Sequence, residues 1–282
     1  MAPDVKKIAS LLTECYGINI AGVIHYSPQG LYADFRPAEI PSLRGFSSRV
    51  TVGWRTIESQ FVPDTFSATL VTSMSQADES KRKLFTSFAR TDIDNGDKVE
   101  LSINEAASDP MDYHTWPTNW SSCTLSVKSP FTVIDANDDS ETEEKILLYA
   151  KRLLSLILSL LPLEEKTDKE LPAGLPEGAR MKIEVNRYER NRLNREACIE
   201  AKGAVCTVCS FNYHSFYGDI GDGYIHVHHI IPVSKLGENY ILDPVNDLTP
   251  ICANCHAMIH KQDPPYSVDK LKEIIQKSGS PY

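Results

Sequence analysis

Apolar residues recur at helical spacing from the start of the chain. Val5, Ile8, Leu11 and Leu12 share one face of a helix over Asp4 to Cys15, and Gly17 supplies its stop. Short runs rich in β-branched and aromatic residues follow at Ile18 to His25, Gly30 to Phe35 and Arg49 to Thr56. They are separated by Pro-Gln-Gly and proline-rich breaks and predict strands. A second helix is expected from about Gln76 to Thr91, then strands near Val99 to Ile103 and Thr124 to Val127. Ser140, with Glu143 three residues on, makes a capping box that opens an apolar helix ending before Pro162.

Periodicity then stops. Glu164 to Gly178 holds Pro172, Gly174, Pro176 and Gly178, the composition of a linker. Beyond it, Ile183 to Lys202 reads as a helix ending at Gly203, and Tyr224 to Ile230 as a strand. The pattern predicts an α+β protein: an N-terminal mixed α/β domain over 1–163, a linker over 164–180, and a small C-terminal domain over 181–282. No internal repeat is visible.

Composition narrows the class. A chain of 282 residues with 41% hydrophobic and 24% charged residues is long enough for two cores and is globular in character. The longest apolar stretch, Ile146 to Leu163, is interrupted by Lys151 and Arg152 and predicts a buried helix, with no membrane partner. The polar, basic first ten residues do not resemble a signal peptide, so a prokaryotic cytoplasmic location is expected. The odd count of seven cysteines agrees with a reducing compartment, and Cys15, Cys123 and Cys198 read as small core residues.

A net charge of -9 argues against nucleic acid, but the charge is unevenly spread. Acidic residues gather at Asp135 to Glu144, whereas Arg180, Lys182, Arg187, Arg190, Arg192 and Arg195 precede the cysteine-rich region. That basic stripe is either a phosphate-contacting surface or a solvated face paired with Glu184, Glu189 and Glu196.

Two Cys-x-x-Cys knuckles, Cys206/Cys209 and Cys252/Cys255, carry the strongest chemical signal. Each places two thiolates on one ion, and together they complete the tetrahedral four-sulfur shell that structural Zn²⁺ prefers. A redox or disulfide pair is the alternative. Between the knuckles lie His228 and His229, and after them His256 and His260, four apart and on one face of a helix. A binding-only zinc module with incidental histidines is the alternative there. His226 shares a strand face with His228, fit either for phosphate or the surroundings of a metal, or simply for exposure. His214 carries no assignment, and Tyr217 with its neighbouring glycines reads as a structural turn.

The order Cys-x-x-Cys, Tyr-Gly-x-x-Gly-x-Gly, Val-His-His-Ile-x-Pro, Asn-Asp-Leu, Cys-x-x-Cys-His-x-x-x-His resembles the HNH endonucleases, ββα-metal nucleases with a structural zinc. The resemblance covers Lys182 to His260. It implies that His229 is the general base and that His228, His256 and His260 hold one catalytic divalent ion, Mg²⁺, Mn²⁺, Ni²⁺ or Co²⁺. It also implies that Asn246 orients the base. The chain departs from the pattern there: in many relatives the Asn stands five residues before the second knuckle, where this chain has Asp247, and Asn254 is a third candidate.

The layout resembles the McrA-like, modification-dependent (type IV) restriction endonucleases, in which a DNA-recognition domain precedes the cleavage domain. That resemblance implies double-stranded DNA as partner, carrying 5-methylcytosine or 5-hydroxymethylcytosine. Trp54, Tyr113, Trp116 and Trp120 are candidates for an aromatic base pocket, with burial in the core as the alternative, and Arg44, Arg49 and Arg55 for backbone contacts. A single site cuts one strand at a time, so double-strand cleavage implies a homodimer. The alternatives are an HNH nuclease of sequence-specific, mobile-element or effector type, and a non-catalytic zinc-stabilised DNA-binding protein.

Overall fold

The computed structural model describes residues 3–27, 30–40, 43–131, 139–161, 192–231, 240, 242–262 and 264–278. The chain divides into two compact units, Met1–Asp168 and Lys169–Tyr282. The expected linker, 164–180, lies outside the described residues, as do Arg187 and Arg190.

The first unit opens on helix α1 (Val5–Tyr16). The Asp4 carboxylate caps it by accepting the backbone N–H groups of Lys6 and Lys7, and Gly17 ends it at φ 66°. Strands β1 (Ile20–Ser27), β2 (Gly30–Pro37), β3 (Phe46–Val52) and β4 (Ile57–Pro63) follow as an antiparallel meander. Helices α2 (Ala68–Ser75) and α3 (Glu79–Asp94) then lead to β5 (Lys98–Ile103), β6 (Ala106–Ser108) and β7 (Cys123–Lys128). The seven strands lie in the order β1-β2-β3-β4-β7-β5-β6.

Burial alternates along these strands, so the sheet has two unlike faces. Phe46, Ser48, Val50 and Val52 of β3, with Ile57, Ser59 and Phe61 of β4, point into the core. Helix α4 (Asp139–Leu160) covers that side, packing on β3, β4 and β7 and on α1 and α3. Its second half is buried all round, from Leu153 to Leu160. The other sheet face is polar, and Arg49 forms a two-pronged ion pair with Asp34 across the β2–β3 register.

Three local expectations differ from the structure. The strand expected over Arg49 to Thr56 lies earlier, because Gly53 closes a hairpin by donating its N–H to the Thr56 carbonyl at 2.9 Å. Helix α2 and strands β4 and β6 had no clear sequence signal. The helix expected to open at Ser140 begins at Asp139, and Glu143 Oε1 accepts the backbone N–H of Asp4 at 2.7 Å, tying α4 to the start of α1. Arg152, which interrupts the apolar run, faces inward between Asp92 and Asp97, and Tyr149 donates to Asp97 at 2.6 Å. Among the described residues no helix is long and apolar enough to cross a membrane.

The second unit contains helix α5 (Arg192–Lys202), ended by Gly203 at φ 77°, and the short helix α6 (Tyr213–Tyr217). A 3-10 turn, Gly218–Gly221, follows. Gly221 is required there, since a Cβ would collide with the Tyr213 carbonyl oxygen. Strands β8 (His226–His229) and β9 (Leu248–Ile251) pair antiparallel, and helices α7 (Ala253–Ile259) and α8 (Val268–Lys277) follow. Cys206, Ile225, Ile251, Cys252, Cys255, Ile259 and Leu271 form the core of this ββα arrangement.

Candidate metal centre and nuclease site

The two knuckles are built differently. In the first, Ser210 at φ 60° turns the chain so that its N–H reaches the Cys206 carbonyl at 2.8 Å, while Cys206 N–H donates to the Phe211 carbonyl. In the second, Cys252 is the N-cap of α7, its sulfur accepting the Cys255 N–H at 3.4 Å. The four sulfurs lie within 4.8 Å of one another. The sulfurs of Cys209 and Cys252 are 3.7 Å apart, far beyond a disulfide bond, and all four thiols are free.

Burial pushes the Cys255 thiol up, and Cys209 up to about 11. Burial also opposes ionisation of Cys206, but backbone N–H bonds outweigh it and hold that thiol below its ordinary value. Four convergent, largely buried sulfurs fit a structural zinc ion, whose charge would stabilise the thiolates that burial disfavours.

The histidines form a separate group. Strand β8 puts His226 and His228 on one face and His229 on the other. Helix α7 contributes His256, and His260 follows at its C-cap. One ligand nitrogen from each of His228, His256 and His260 lies within 4.8 Å of the others, and the ring centroids are 5.0 to 5.4 Å apart. Burial, then the neighbouring histidines, lowers His228 and His256 to about 4. Both rings are therefore neutral at neutral pH, with a lone pair available for a divalent cation. The set fits the expected second ion. His226 Nδ1 lies 3.2 Å from His256 Nδ1, a contact the sequence did not single out.

His229 is half-buried, and burial holds its imidazole below the ordinary value while the charge of Asp247 acts the other way. Asp247 is itself fixed: Ile230 donates its N–H to the Asp247 carbonyl at 2.8 Å, and Asp247 Oδ2 accepts from Tyr240 Oη and from Asp243 N–H, each at 2.7 Å. The Asn246 side chain donates instead to Asp243 Oδ2 at 2.8 Å and is exposed. Asn254 occupies an exposed position of α7.

The candidate DNA contacts divide. Arg192 is exposed at the start of α5. Arg195 pairs with Glu196 at 2.7 Å and donates to the Ile225 carbonyl at 3.0 Å, so it ties α5 to the residue just before β8. Trp116 and Trp120, expected to line a base pocket, are core residues, 5% and 3% exposed. Their rings meet edge to face, and their indole N–H groups donate to the carbonyls of Asp109 and Pro117. Loop chemistry rich in tryptophan here serves packing, because a large ring near a sheet finds most of its stabilisation in burial. Tyr113 lies against Trp116 and donates to Glu79 at 3.4 Å. Trp54 is the opposite case: it is 88% exposed on the β3–β4 hairpin, and the adjacent Arg55 stands over the exposed ring of Phe131.

Comparison with known proteins agrees with this geometry. Residues 206–262 match the family model described as HNH endonuclease. The chain is 33% identical over 105 residues to the "Type IV methyl-directed restriction enzyme EcoKMcrA" of Escherichia coli (strain K12), a match covering 36% of this chain and 34% of that protein. The chain thus spans about a third of the length of the curated relative it matches. No solved structure gives a significant match. With its cysteine cluster, its ββα frame and its convergent histidines, the segment 206–262 of this chain is an HNH endonuclease domain.

Proposed function

We propose that this chain is a metal-dependent DNA endonuclease of the restriction type, hydrolysing phosphodiester bonds at His229. One observation carries the proposal. On β8, the half-buried imidazole of His229, its proton affinity lowered by burial, follows directly after His228, a member of the three-histidine cluster fit for a divalent ion.

In this reading His229 takes the proton from the attacking water, a role its lowered proton affinity keeps open at neutral pH. His228, His256 and His260 hold the divalent ion, and imidazole ligation favours Mn²⁺, Ni²⁺ or Co²⁺ alongside Mg²⁺. When bound, that ion supplies neutralisation of charge on the phosphate and the leaving 3′ oxygen. Asp247, whose charge acts on His229, is favoured over Asn246 as the group that steadies the base. The four cysteines hold Zn²⁺ and keep β9 and α7 in place.

The first unit, a sheet backed by α4, is then the recognition domain of a restriction enzyme directed to modified cytosine. The relative's printed description, "methyl-directed", supports this. Burial of Trp116 and Trp120 moves the candidate contact surface to the hairpin tip at Trp54 and Arg55. A chain with one cleavage site acts on duplex DNA as a homodimer when it cuts both strands.

The test is digestion of matched unmodified, 5-methylcytosine and 5-hydroxymethylcytosine duplexes by wild type and His229→Ala. Wild type is expected to cut the modified duplexes and His229→Ala to bind them without cutting. Equal cutting of the unmodified duplex removes modification dependence. Unimpaired cutting by His229→Ala removes the assigned base, and absence of cutting by wild type with every metal leaves a binding protein.

A further inference from the structure

We propose that His226 is a positioning residue that fixes which nitrogen of His256 faces the divalent ion; this rests on the reading of His228, His256 and His260 as the shell of that ion. Strand β8 places His226 and His228 on the same face, and both rings lie against His256, at 5.3 and 5.4 Å between centroids. Their roles differ. His228 contributes a nitrogen to the three-histidine group, whereas His226 is not one of its members and presents Nδ1 to Nδ1 of His256 at 3.2 Å.

Two imidazole nitrogens at that distance make a hydrogen bond only if one carries the proton and the other the lone pair. A histidine that gives one lone pair to a cation keeps its proton on the other nitrogen. With Nδ1 of His256 engaged by His226, Nε2 is the nitrogen left for the ion, and Nδ1–H is the donor. His226 then accepts at Nδ1 and carries its own proton on Nε2, which faces Tyr224 Oη at 3.4 Å. Tyr224 is in turn packed edge to face on Tyr213 at 4.7 Å. With the ion on Nε2 of His256, the row Tyr224–His226–His256 has one consistent set of proton positions, His256 Nδ1–H donating to His226 and His226 Nε2–H to Tyr224.

The choice of partner has a chemical consequence. Ligating histidines usually donate to a carboxylate, a carbonyl or water. A neutral imidazole draws less on the donated proton than a carboxylate does, so His256 is a less basic ligand here than it would be beside an acid. Ion affinity at this site is thus set low by residue 226 and can be raised there.

The test uses the full chain with its zinc content measured, titrated calorimetrically with Ni²⁺ or Mn²⁺, and long-range ¹H–¹⁵N spectra of ¹⁵N-histidine protein. Wild type is expected to show His256 protonated on Nδ1. His226→Ala should lose about 10- to 100-fold in affinity for the added ion and show mixed His256 tautomers, with zinc content unchanged. His226→Gln should keep most of the affinity, since its amide oxygen accepts the same N–H while being a poor ligand, and His226→Glu should bind more tightly than wild type. His256→Ala should lose the added ion. If His226→Ala binds as wild type while His256→Ala does not, the positioning role is overturned and the ion site stands. If His226→Gln falls as far as His226→Ala, His226 is itself a ligand and the proposal is overturned. If His256→Ala binds as wild type, the ion site on which the proposal rests is the part that fails.

Discussion

The backbone N–H of Ile230 donates to the carbonyl of Asp247 at 2.8 Å, which pins the chain entering β9 beside the end of β8 and holds Asp247 close to His229. The side chain of Asn246 is turned to Asp243 instead. Asp247→Ala should therefore lower the cleavage rate by about tenfold or more, a fraction of the 10²- to 10⁴-fold typical of a general base, while Asn246→Ala should cost less. Single-turnover rates on one duplex decide between them. A larger loss in Asn246→Ala would return the orienting role to that residue.

Cys252 is at once one of the four convergent sulfurs and the N-cap of α7. Cys252→Ala should lose zinc and unfold the second unit, because metal binding in such small domains is folding energy. Zinc content and amide spectra measure this together. A folded variant without zinc would mean the cysteines are not the architecture.

Trp54 and Trp116 should behave as opposites. Trp116→Ala removes a buried ring packed on Phe85 and Trp120 and should cost about 3 to 5 kcal/mol of stability. Trp54→Ala should leave the melting temperature nearly unchanged and weaken DNA binding if the hairpin tip touches DNA. Thermal melts and binding isotherms on both variants check the pair.

Arg36 forms a two-pronged ion pair with Asp64, at 2.8 and 2.6 Å, and Asp64 also accepts the Gly45 N–H. The Arg36 hydrogen bonds, chiefly, hold the Asp64 carboxyl below its usual value of 3.8. The unfolded chain then takes up the proton at a higher pH than the folded one. The pair's contribution is complete above about pH 4 and is lost as pH falls through the lowered value. Melting temperature of the full chain measured from pH 6 to pH 2.5 should fall less steeply at the acid end in Arg36→Gln, which has no such contribution to lose.

How much of this was legible depended on distance along the chain. The helix at Asp4 to Cys15 and the knuckles are written in residues a few positions apart, where local spacing decides geometry. Strand β4 was hidden because Ser59, wholly buried, breaks its apolar face; only the fold shows that its hydroxyl reaches the Val127 carbonyl. Arg152 interrupts an apolar run, and its partners Asp92 and Asp97 lie on and just beyond another helix, out of reach of local spacing. Trp116 and Trp120 were ambiguous by composition, and their burial shows only in the fold. The contact of His226 with His256 joins residues thirty apart, from a strand to a helix. No local motif encodes that, although their shared chemistry was visible.

Helix α7 is only seven residues long, yet it is capped by Cys252, holds Cys255 and carries His256. On the proposed reading, arming and folding are the same event. A chain that has not yet captured zinc would then hold no assembled site, because α7 and its two caps carry both sulfurs of the second knuckle and two of the clustered histidines.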